Sequence, residues 1–87
     1  MDKRRLYYVS YTLESGKDAS VHVLAYTMAG AINLVREYWD LPAKAIHGAL
    51  LATPLMVKAH PRAVVMVFSH MFIPMDSPSV KQALGEM

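Results

Sequence analysis

The stretch AVVMVFSHMFIPM, Ala63 to Met75, decides how this chain folds, and only Ser69, His70 and Pro74 interrupt its apolar side chains. A helix that crosses a bilayer needs about 20 consecutive apolar residues. This run is shorter, with Arg62 at one end, Asp76 at the other and His70 inside. It therefore does not read as a membrane span. Val64, Val65, Val67, Phe68 and Phe72 favour extended backbone. Bounded by Pro61 and Pro74, the run reads as one central strand, Ala63 to Phe72, covered on both faces.

Cover on both faces is hard for a short chain to supply. The protein has 87 residues, and 54% are hydrophobic, against about 45–50% in ordinary soluble domains. One domain of this size has a high ratio of surface to volume and too little interior for so much apolar material. The excess implies cover from another chain. A homo-oligomer is expected, a dimer first, together with a larger protein partner.

Upstream, Arg5 to Leu13 alternates. Tyr7, Val9, Tyr11 and Leu13 fall on one face, and Leu6, Tyr8, Ser10 and Thr12 on the other. Ala19 to Tyr26 alternates again, with Val21, Val23 and Ala25 opposite His22, Leu24 and Tyr26. Glu14-Ser-Gly-Lys-Asp18 between them has hairpin-loop chemistry, so the two runs predict an antiparallel hairpin. At Thr27 the period changes. Ala31, Leu34, Val35, Tyr38 and Trp39 recur at helical spacing, which predicts an amphipathic helix over 28–40 with Thr27 as its cap. Leu41-Pro42 ends it.

Residues 42–53 admit two readings: a second helix started by Pro42, or a strand over 46–53. The strand is preferred, because Gly48 and Pro54 work against a helix. Leu55 to Lys58 then extends the strand past a kink, and His60-Pro61-Arg62 makes a turn. Ser77-Pro78 suits a helix start, with Val80, Ala83 and Leu84 docking a short C-terminal helical turn; a frayed tail is the rival. The expected fold is α+β. It is a small single-layer antiparallel sheet of order ββαββ within one domain, 1–87, with one main helix packed on one face.

Charge and chemistry narrow the function. Formal net charge is +2 and there is no cysteine, which excludes disulfides and thiolate metal sites. No apolar segment follows Met-Asp-Lys-Arg-Arg in the manner of a signal peptide, and a cytoplasmic protein is expected. His22, His47, His60 and His70 show no HxH, HxxxH or HExxH spacing. They read as surface or individually hydrogen-bonded side chains, with no metal and no cofactor. His70 sits among Met66, Phe68 and Phe72. It is either a satisfied core imidazole or a titrating interface group. No GxSxG, P-loop or GxGxxG is present, and the acids are scattered. No catalytic residue is assigned, and the chain does not read as an enzyme.

The leading expectation is a non-enzymatic, self-associating protein-binding module: a small accessory protein, or an inhibitor that blocks a larger host or defence complex. Its candidate contact residues are Tyr38, Trp39, Met66, Phe68, His70 and Phe72. They are aromatic and methionine side chains of the kinds that anchor or adapt to partners. The alternative is a single-stranded nucleic-acid binder. In it Tyr8 and Tyr26 stack bases while Arg4 and Arg5 meet phosphates.

Overall fold

The computed structural model describes residues 4–60, 62–68 and 71–85. Nine elements follow the chain. They are β1 (Arg5–Thr12), β2 (Asp18–Ala25), α1 (Met28–Trp39), a 3-10 turn (Ala43–Ala45), β3 (Ile46–Leu51), α2 (Pro54–Ala59), β4 (Val64–Phe68), β5 (Met71–Pro74) and α3 (Pro78–Ala83). The strands form one sheet in the order β3-β1-β2-β4-β5. All neighbours are antiparallel except β2 and β4, which run parallel. The fold is α+β, as the sequence predicts, with a five-stranded mixed sheet in place of four antiparallel strands. No helix among the described residues is long and apolar enough to cross a membrane.

The β1–β2 hairpin closes where its loop chemistry places it. Leu13 and Lys17 are joined by a 2.8 Å backbone bond, and Gly16 takes φ 88° in the turn, a conformation glycine adopts without steric cost. α1 starts at Thr27, whose Oγ1 accepts from the Gly30 N–H at 3.0 Å. It ends where Asp40 turns left-handed and the Leu41 N–H meets the Arg36 carbonyl. Arg36 Nε donates back to the Leu41 carbonyl at 3.1 Å, which holds the buried Leu41 side chain under the helix end.

The stretch from Ala63 to Met75 is not one strand. It folds as a hairpin of β4 and β5, in register Val64↔Pro74, Val65↔Ile73 and Met66↔Phe72. β4 is interior to the sheet and β5 is its edge. Leu55 to Lys58 does not extend β3. It forms α2, because Thr53 Oγ1 caps the Met56 N–H and Pro54 occupies the first turn, where a missing donor costs nothing. Residues 46–51 are a strand, and 78–83 are a helix and not a frayed tail.

Two cores result, one on each face. Tyr7, Val9, Tyr11, Val23, Ala25 and Met66 pack under Ala31 and Val35 of α1. On the other face, Leu6, Leu24, Val65 and Val67 pack with Val80 of α3, and Val57 of α2 joins them. The expectation that a second chain must cover this face is thus corrected at one end, where α2 and α3 do so. Elsewhere that face carries Tyr8, Ser20 and His22, with His60 at the end of α2 close to them and exposed Leu50 of β3 across from Tyr8.

Candidate protein-docking surface

α1 lies over β1, β2 and β3. It leaves the β4–β5 hairpin only partly covered on the same face, so Val64 is exposed and Phe72 is 37% exposed. Tyr38 and Trp39, in the last turn of α1, reach that margin. The Tyr38 and Phe72 rings meet edge-on, with centres 5.2 Å apart at 81°. Tyr38 and Trp39 do the same at 4.9 Å and 85°. Trp39 is also tilted over Tyr11, with ring centres 6.4 Å apart. The four rings form a row from β1, over the end of α1, to the outermost strand.

Edge-on contacts of this kind suit the ring quadrupoles and contribute about 0.5–1.5 kcal/mol beyond area burial. They fix each ring's orientation before any partner arrives. Burial pushes the Tyr11 phenol up from its usual range; a hydrogen bond with the Trp39 side chain opposes this, and nearby Tyr38 adds slightly to the rise. Trp39 stays 43% exposed while its neighbours hold it. A rigid, half-exposed tryptophan beside two other rings has the make-up of an interface anchor. Through Tyr38 and Phe72 the row reaches the edge strand β5, whose sequence Met-Phe-Ile-Pro carries no charge to discourage pairing.

Of the six residues singled out for partner contact, the structure brings Tyr38, Trp39 and Phe72 together. Met66 is removed from the set: it is 0% exposed, inside the core beneath α1. As the register partner of Phe72, it supports the surface from below. The Phe68 side chain, and His70 altogether, lie outside the described residues.

The four residues proposed for nucleic acid do not form one platform. Arg4 and Tyr26 line a shallow hollow of about 340 Å³ at the open end of the β1–β2 hairpin, with Leu24, Leu34 and Val67. Tyr8 lies beyond buried Leu6 and Leu24, which are capped by α3. Its hydroxyl is bonded to Ser20 Oγ at 2.6 Å. Arg5 pairs across to Ala25, and so belongs to the α1 side of the sheet. The Leu6–Leu24 cluster under α3 thus separates Tyr8 from Arg4 and Tyr26, and the sheet itself separates Arg5 from all three.

The structure also groups residues that sequence spacing left apart. His22 is the cross-strand partner of Tyr8, with ring centres 4.8 Å apart. His60 stacks on Tyr8 at 6.4 Å and 21°, and lies 6.0 Å from His22. His22 is 2% exposed and its Nε2 has no hydrogen-bond partner among the described residues. This corrects the expectation of individually satisfied histidines. Leaving such a group unpaired costs about 1–3 kcal/mol. Burial, and next the neighbouring His60, hold the His22 imidazole below the usual histidine range. Alternation groups Tyr8 with Leu6 and His22 with Leu24 within their strands, and the hairpin register sets the two side by side. Nothing in the sequence tied them to residue 60, which α2 carries in. At the opposite corner His47 bonds Thr12 and lies 3.6 Å from Asp18, both imidazole and carboxylate well exposed.

Comparison with protein-family models, with curated proteins and with solved structures finds no match for this chain.

Proposed function

We propose that this chain is a non-enzymatic protein-binding module of the cytoplasm that self-associates and acts on a larger protein complex as an accessory or inhibitory subunit. The observation that carries the reading is the ordered aromatic row that includes half-exposed Trp39 and ends at half-exposed Phe72 on the uncharged edge strand β5. Tyr38, Trp39 and Phe72 form the contact surface. Excess hydrophobic composition and sparse charge, 54% and 18%, support it, because a domain this small gains by sharing a covered face.

Affinity capture from lysate of the source cells, with and without nuclease, tests the partner half of the reading. A defined protein retained by the wild-type chain and lost with Trp39→Glu supports it. Recovery that disappears with nuclease overturns it in favour of nucleic acid.

A further inference from the structure

The histidine pair on the opposite face plays no part in docking, and its geometry has a use of its own. His60 Nδ1 lies 3.2 Å from the Met56 carbonyl oxygen. A carbonyl only accepts, so Nδ1 carries the hydrogen and the lone pair of the neutral ring is on Nε2. His22 also has an uncommitted Nε2, on a side chain that is 2% exposed. The two rings have centres 6.0 Å apart, and both line a hollow of about 190 Å³ with Tyr8 and Ser20. An ion about 2.0–2.1 Å from each of two imidazole nitrogens sets the ring centres about 5–6 Å apart. A backbone carbonyl fixing the second nitrogen is also how metal-bound histidines are oriented.

From this geometry we propose that His22 and His60 form a two-imidazole site for a divalent transition-metal ion. Neutral imidazole selects nickel, copper and zinc over magnesium and calcium, and none of the residues lining the hollow is a carboxylate. Among the described residues no three histidine or acidic side chains gather, so the protein supplies two ligands and solvent completes the coordination shell. The bound ion links β2 to the end of α2 and fastens that helix to the sheet. This inference stands independently of the docking surface, which lies on the other face.

Ni²⁺, paramagnetic and selective for imidazole, is the probe. Metal-depleted, untagged protein is titrated at pH 7.5 while the histidine ring signals are followed by NMR. The expected result is loss of the His22 and His60 signals below one equivalent, ahead of His47. His60 is exposed, so His60→Ala keeps the fold; it weakens Ni²⁺ binding on the order of tenfold or more and spares the His22 signals. His47→Ala leaves binding unchanged. Survival of the His22 signals at one equivalent in the wild type, or equal Ni²⁺ affinity in His60→Ala, overturns the proposal.

Discussion

Tyr38, in the last turn of α1, meets Phe72 of the edge strand β5 edge-on, with ring centres 5.2 Å apart. This contact ties the helix end to a strand that α1 otherwise leaves open, and it orders the row that includes Trp39. Held side chains lose less entropy when a partner covers them.

Trp39→Ala and Phe72→Ala therefore separate binding from folding. Both residues are more than a third exposed, so each truncation costs about 1 kcal/mol of stability or little more. Each removes about 2 kcal/mol or more of binding energy, roughly thirtyfold in affinity. Thermal melts paired with partner titrations check both. A large loss of stability with unchanged affinity would place these rings in the core and remove them from the interface.

Two methionines of the opening stretch should behave oppositely. Met66 is fully buried under α1, whereas Met71 is exposed on β5. Met66→Ala is expected to cost about 2–5 kcal/mol and Met71→Ala about 0.5 kcal/mol or less, read from urea midpoints at constant slope. Equal costs would contradict the β4–β5 hairpin.

His22 makes stability depend on pH. Its folded-state pKa is depressed by burial and by His60, while in the unfolded chain it titrates near about 6.5. Between those values the unfolded state binds more protons, so stability rises with pH there, by at most about 1.4 kcal/mol per unit. The contribution is complete above about pH 6.5 and is lost as pH falls toward the folded value. The neighbours of the ring are Tyr8 on β1 and His60 on α2. His60→Gln removes a like charge and should make the loss shallower; chemical denaturation from pH 4.5 to 8 measures it.

At the start of α1, Thr27 and Gly30 are coupled. Thr27→Ala removes the cap and should cost about 1 kcal/mol. Gly30→Ala adds helix propensity worth up to about 1 kcal/mol, but its Cβ would sit 3.1 Å from Thr27 Oγ1. The gain should appear in the Thr27→Ala background and shrink in the wild type, as a double-mutant cycle of unfolding free energies will show.

The parts of the fold legible in the sequence are those where period and punctuation agree. Alternation on either side of Gly16 places β1 and β2, and the change of period at Thr27 places α1. The hairpin within 63–75 is hard to read from sequence because only Ser69 and His70 separate Phe68 from Met71, and a lone serine without glycine, proline, asparagine or aspartate is a weak turn signal. α2 had a readable start: Thr53-Pro54 repeats the pairing of Ser77-Pro78, but six residues are too few for periodicity to speak. In the site, Tyr38 and Trp39 stand out as neighbours on one helix. Their meeting with Phe72, like that of His22 with His60, depends on long-range packing that no local pattern encodes.

Self-association is the claim on which the docking account rests, and light scattering coupled to size exclusion at low micromolar concentration tests it most directly. The account predicts a particle of two 9.7 kDa chains that becomes monomeric in Trp39→Glu, with circular dichroism confirming that the variant is folded. A wild-type chain that stays monomeric across the micromolar range would contradict it.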